Sequence, residues 1–334
     1  MLGAAEAIDW LAAENIRMGI AKAAYDKGKV RFTGADITGY DYIVASRQGL
    51  FAVCETAYLP IAHGQFFGIT IRDGAIYAFE ACDRVHAPTY RGRLIRLDLA
   101  GNRIASADVV AAGLDNGCHQ IDFIDDCLCV VDTYNQRIQR FSPDFADSEF
   151  LYPLAAAAAN DWAGGYAHIN TLLQVGDQIL LMLHNGGKRS EAKSAIAVLD
   201  RQWQMIDRWP LRGRGCHNIA VMEDGDVLCC GSLGGEVITL DGVAKRVTSK
   251  MTRGLSVDAR SIVVGASLFV VREERGYAPG SVHFLDRSFR QRAVLDLPAA
   301  PTEIRRLDGD DCSLSVFVRK TNRTVRRRTV EAVP

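Results

Sequence analysis

The sequence predicts an all-β protein: a single β-propeller, with seven blades preferred and six the alternative, preceded by an N-terminal helix. Three observations point there. Gly117 to Asp144 reads as three short strands in succession, His119 to Ile124, Cys127 to Asp132 and Arg137 to Phe141, separated by Asp125-Asp126 and Tyr134-Asn135-Gln136. Those gaps are too short for crossover helices, so the strands pair antiparallel as a meander. The opening Gly-Cys-His-x-Ile recurs at Gly215, followed by the turn Asp224-Gly225 and the run Val227 to Cys230. Finally, a chain of 334 residues divided by roughly 40 to 45 residues per four-stranded blade gives six or seven blades.

Taken in order, Ala4 to Lys27 is the one long helical pattern, with Ile8, Leu11, Ala12, Ile16 and Ile20 near helical spacing and Glu6, Asp9 and Glu14 for the wet side. Gly28 ends it, so residues 1–28 form an extension and 29–334 the propeller. The helix is expected to cover a propeller face or edge, or to pair with a second copy in a homodimer. Lys29 to Asp36 reads as a strand that closes the last blade against the other terminus, leaving no open edge.

Seven candidate inner strands follow. They begin at Tyr42, Phe67, His119, Asn170, Asn218, Gly254 and Glu303, those at Tyr42 and Glu303 being the least regular. Four long loops interrupt the blades: Glu80 to Arg93, Pro153 to Tyr166, His184 to Ser194 and Glu273 to Gly280. Long loops on a rigid scaffold are where function concentrates. The basic stretch Arg319 to Arg328 alternates with Thr and Val and is read as an exposed outer strand.

Composition narrows the function. Lys and Arg number 39 against 40 Asp and Glu, and this balance leaves no electrostatic footprint for nucleic acid or an anionic membrane. No run approaches the ~20 apolar residues that span a bilayer. Nine cysteines, several on alternating or adjacent strand positions, suit buried thiols, and the expectation is a reducing cytoplasm. No phosphate-binding Gly loop or nucleophile elbow stands in a strand–turn–helix context.

The candidate chemistry is at the mouth of the propeller, where first strands converge. His119 and His217 hold equivalent repeat positions, His168 precedes the intervening inner strand, and His63 stands ahead of Phe67. Arg253 aligns with His217 and could orient an anionic group of a small-molecule substrate. Convergent neutral imidazoles suit a divalent metal such as iron, zinc or manganese. Cys118 and Cys216 neighbour two of these histidines, but adjacent strand residues face opposite ways, so the thiols are expected to pack between blades.

Val130 to Phe141 resembles an NHL-type repeat, which implies a propeller blade but no reaction. The chain is similar at this level to the gluconolactonase family, in which acidic and Asn side chains on inner strands hold a divalent cation that opens lactones. That resemblance would make ligands of Asn170 and Asn218. The chain departs from it at the first inner strand, where no Glu is evident, and at Asp258, which sits at the far end of its strand. Four axial histidines also resemble the iron centre of carotenoid-cleaving oxygenases, and axial His is used with Mg²⁺ by streptogramin-cleaving lyases. The remaining class is a binding scaffold that offers its top face to a protein or ligand.

Overall fold

The computed structural model describes residues 4–154, 166–185, 192–222, 225–270 and 278–307, with side chains from residue 13 onward. Its strands form six separate four-stranded antiparallel sheets. The inner strands are Phe66–Arg72, Cys118–Ile124, Ile169–Val175, Cys216–Val221 and Met251–Val257 for blades 2 to 6, and Pro301–Arg306 for blade 1. Each packs against the next, and Pro301–Arg306 packs against Phe66–Arg72, so the ring closes.

Closure explains why there are six blades and not seven. Pro301–Arg306 pairs with Tyr42–Ser46, so the two least regular candidate inner strands are the first and second strands of one blade. Lys29 to Asp36 does not supply the closing strand. It runs along the outside, making only isolated bridges from Phe32 to Ala62 and from Asp36 to Arg103. Pairing Pro301–Arg306 with three strands from residues 42–62 completes the first blade and closes the ring across distant parts of the chain. Arg319 to Arg328 lies outside the described residues.

Six apolar clusters, one between each pair of neighbouring blades, make the core. Inner and middle strands are almost wholly buried, as in Gln178–Leu183 and Ala195–Leu199. Outer strands such as Met205–Pro210 and Gln291–Leu297 are largely exposed. Alternation along the inner strands puts Cys118 and Cys216 into these clusters, and the eight described cysteines are all free thiols.

The helix Ala4–Asp26 packs on blade 2, but not by the face its periodicity suggests. Met18, Ala21 and Ala24 are buried, and Met18 and Ala21 pack with Cys82, while Ile16 and Ile20 are 66% and 47% exposed. Polar contacts select this face: Lys22 pairs with Asp83 at 3.0 Å, Gln65 Nε2 donates to Met18 Sδ at 3.0 Å, and the Gly113 N–H donates to the Tyr25 hydroxyl at 3.0 Å. The site beneath is a buried ion pair, Arg93 with Glu80 at 2.8 Å, both 1% exposed.

Every inner strand carries a bulge near its start, where the ladder register slips by one residue. In four blades a bulge residue turns toward the next blade and its side chain staples the ring, while the bulges of blades 2 and 6 carry Gly68 and Gly254, which pack close against the next blade. Thr302 Oγ1 donates to Phe66 O (3.0 Å). The Gln120 amide accepts from Leu172 N (3.0 Å) and donates to Leu172 O (3.3 Å). Asn170 Nδ2 donates to Cys216 O (2.9 Å), and Asn218 Oδ1 accepts from Gly254 N (2.7 Å). Below these lies a polar plug. Asp122 accepts from Thr70 (3.1 Å) and faces Arg305 (3.6 Å), while Glu303 accepts from Asn218 Nδ2 (3.2 Å) and faces Arg305 (3.5 Å).

Candidate metal centre

The Gly-Cys-His repeat builds the site from its backbone outward. In both copies the imidazole Nδ1 folds back on the glycine carbonyl two residues earlier, at 3.2 Å for His119 on Gly117 O and 2.9 Å for His217 on Gly215 O. A carbonyl only accepts, so Nδ1 carries the proton and Nε2 is the ring's lone-pair nitrogen. The glycines are required by what approaches them. A Cβ on Gly117 would lie 1.8 Å from the Tyr134 ring; one on Gly215, which has φ +63°, would lie 3.1 Å from His184 Nε2.

His119, His168 and His217 come from three consecutive blades, and one ligating nitrogen of each lies within 4.8 Å of the others. His168 stands just before its inner strand with φ +51°, a backbone twist that carries its ring to the ring of His119 at 5.1 Å. His184 is a fourth member that the repeat alignment misses. It follows the second strand of blade 4, one strand out from the axis, and its ring lies 4.5 Å from that of His168 and 5.6 Å from that of His217. The signal for it was its place two strands from His168 in the same blade, at the start of a long loop.

His63 does not join them. It follows the outermost strand of blade 1, is exposed, and donates its backbone N–H to Arg31 O. With strands about 4.8 Å apart, three strand spacings separate that position from the axis.

Electrostatics favour a neutral His217. Burial holds the His217 pKa well below the usual histidine range, and Arg253, His184, His119 and His168 push it the same way. Unprotonated nitrogens at neutral pH are what a divalent metal needs. A tetrahedral site with bonds of about 2.1 Å sets its ligands roughly 3.4 Å apart, so small ring rotations bring these three nitrogens into range. The donor set therefore fits zinc, iron or manganese.

The turn after Cys127–Asp132 supports the cluster. Asp132 accepts from Asn135 Nδ2 (2.9 Å) and Arg137 Nε (2.7 Å), and Gln136 Oε1 accepts from the Ala167 N–H beside His168. Tyr134 is thereby set edge-on to His119 at 6.3 Å, with His86 of the 80–93 insertion 4.9 Å beyond. Arg253 holds the ring position equivalent to His217 in blade 6.

Asn170 and Asn218 are not presented as cation ligands. They are 1% and 3% exposed, and their amides are the staples between blades. A glutamate does stand on the first blade's inner strand, Glu303, but beside Asn218 and Arg305 in the plug. Asp258 lies at the opposite end of the propeller, accepting from the Tyr42 hydroxyl at 2.6 Å.

No protein-family model and no curated protein matches the chain. Among solved structures it is similar to a chain of a nidogen/laminin complex, at 9% identity and TM-score 0.57, over 80% of this chain and 97% of that one. It is also similar to a protein of unknown function from Bacteroides caccae, at 11% identity and TM-score 0.51, over 80% and 99% of the two chains. A provisionally named gluconolactonase matches at 11% identity and TM-score 0.51, over 82% and 89%. At such identities the likeness is one of fold alone: this chain is a six-bladed β-propeller.

Proposed function

We propose that the protein is a metal-dependent enzyme acting on a small molecule at the axial mouth, with His119, His168 and His217 as metal ligands and His184 beside them. The observation that carries this reading is the convergence of three imidazole nitrogens from three blades within 4.8 Å. A bound zinc or manganese would acidify water for hydrolysis or polarise a carbonyl for elimination, and iron would allow oxidation. The chain's own part is to hold the rings in one tautomer through Gly117 O and Gly215 O, to keep His217 neutral, and to orient an anionic substrate group with Arg253. His86 of the 80–93 insertion packs on Tyr134 beside His119, which borders the reaction site on that side.

No described helix is long and apolar enough to cross a membrane. The free thiols support the reading of a reducing, cytoplasmic setting.

Titration of chelator-treated protein with Co²⁺ tests the ligand set by the visible absorption that imidazole ligation gives. Wild type should saturate near one equivalent, and His168→Ala should lose the band while keeping its circular dichroism. An unchanged band in His168→Ala would remove it from the site. Metal-loaded protein would then be assayed for lactone or ester hydrolysis, elimination and dioxygen consumption.

A further inference from the structure

The 80–93 insertion is anchored on two sides. The N-terminal helix holds its outer side: Lys22 pairs with Asp83 at 3.0 Å, Arg84 Nη2 donates to Asn15 Oδ1 at 2.9 Å, the Tyr25 hydroxyl donates to Tyr90 O at 3.3 Å, and Arg91 pairs with Asp26 at 3.5 Å. Asn116, fully buried, holds its inner side, donating through Nδ2 to Ala87 O at 3.1 Å and to Thr89 Oγ1 at 3.2 Å. The Thr89 hydroxyl joins the two anchors, because it accepts from Asn116 and donates to Asp83 at 3.0 Å.

Asn116 directly precedes Gly117, whose carbonyl fixes Nδ1 of His119. A continuous path of hydrogen bonds and one peptide link therefore runs from Lys22 through Asp83, Thr89, Asn116 and Gly117 to His119. The tip of the insertion adds a second path, since the His86 ring lies 4.9 Å from that of Tyr134, which stands edge-on to His119 at 6.3 Å. His217, in the sister motif, is held differently: its Nδ1 meets Gly215 O and, at 3.1 Å, Ser232 Oγ of its own blade.

We propose that the N-terminal helix is a strap that positions His119 through the 80–93 insertion and so regulates metal affinity at the mouth. With the helix docked, Asn116 and Tyr134 hold the His119 ring in the cluster. With the helix released, the insertion loses its outer anchor and His119 loosens, while His217 keeps its support within blade 5. The docking is built for reversible release. Its apolar seat is small, Met18 and Ala21 on Cys82 with Tyr25 beside them, and its ion pairs involve partly exposed side chains. Elements held in this way open at free energies well below that of global unfolding. Coupling is reciprocal, so a metal that binds the ordered His119 tightens the helix by the factor that docking gains the metal. The effect on metal rests on the reading of the cluster as a metal centre; the path from helix to His119 does not.

Hydrogen exchange read by mass spectrometry on full-length, chelator-treated protein tests the strap without metal. Ala21→Glu, and Lys22→Glu at a side chain 41% exposed, should each make residues 13–26 sensitive to protease. Both should speed exchange at residues 83–90 and 116–119 about fivefold or more and leave 215–218 of the sister motif unchanged. Asn116→Ala should speed exchange at 117–119 while the helix stays resistant. All three variants should bind Co²⁺ about fivefold or more weakly, and Co²⁺ should slow proteolysis of the wild-type helix. The strap is overturned if the helix is released while 116–119 exchange as in wild type, or if the helix stays resistant in both helix variants. Equal acceleration at 116–119 and 215–218 in Lys22→Glu overturns it as well, because that marks general destabilisation. The expected exchange pattern in a protein that takes up no Co²⁺ would uphold the strap and overturn the metal reading instead.

Discussion

Replacing Asn218 with alanine separates its role as a staple from a role as a cation ligand. Its Oδ1 accepts from Gly254 N at 2.7 Å and its Nδ2 donates to Glu303 at 3.2 Å, in a site that is 3% exposed, on a backbone with φ +56°. Asn218→Ala orphans a buried N–H, costing about 1–3 kcal/mol, and removes a donor from a buried carboxylate, costing about 1.5–3 kcal/mol. Alanine in the left-handed region adds about 1 kcal/mol. The sum is a destabilisation of about 3.5–7 kcal/mol, measured as a fall in the urea midpoint at unchanged slope. Asn218→Gly loses the same hydrogen bonds but removes the backbone strain, so it should be more stable than Asn218→Ala by about 1 kcal/mol. Stability within about 1 kcal/mol of wild type, together with loss of metal uptake, would refute the staple and make Asn218 a ligand.

Other perturbations test the remaining parts. Arg93→Met leaves Glu80 buried without its cation and should cost about 3–5 kcal/mol, whereas Glu80→Gln/Arg93→Met should cost less. Burial already raises the Glu80 pKa despite Arg93, so the single variant should regain stability as pH falls through that raised value; equal losses in the single and double variants would contradict this. Burial, aided by Lys250, lowers the His283 pKa while Gln291 opposes it. Its contribution is therefore fully present above the unfolded value of about 6.5 and is lost as pH falls below it. His283→Gln should flatten the pH dependence of stability between about pH 5 and 7, and an unaltered slope would sink the assignment. Ile16→Ser/Ile20→Ser should change stability by less than about 0.5 kcal/mol, whereas Ala21→Glu should detach the helix and expose residues 13–26 to protease. A fall in mass by light scattering in the first variant would instead show that the exposed isoleucines join two copies.

Much of the fold is legible because the Asp-Gly and Asp-Asp turns and the spacing of apolar runs mark each hairpin locally. Blade number is not, because closure is a non-local pairing: nothing near Tyr42 shows that Glu303 lies on the adjacent strand. The helix face misleads for a similar reason. Ile16 and Ile20 fit a helical stripe, but Lys22, Tyr25 and Gln65 decide which side docks. At the site, His119 and His217 are visible because they recur in one motif. His184 is not, since it reaches the mouth from a second strand and shares no motif with its neighbours. His63 misleads because nearness in sequence to Phe67 spans the full width of a blade.

The central claim, that the axial imidazoles hold a divalent metal, is tested most directly by the metal content of untagged protein purified without chelator. Wild type is expected to carry near-stoichiometric zinc, iron or manganese, and His119→Ala/His217→Ala is expected to lose it while remaining folded. A wild type that is metal-free and takes up none of the three, or a double variant that retains as much metal as wild type, would contradict the account.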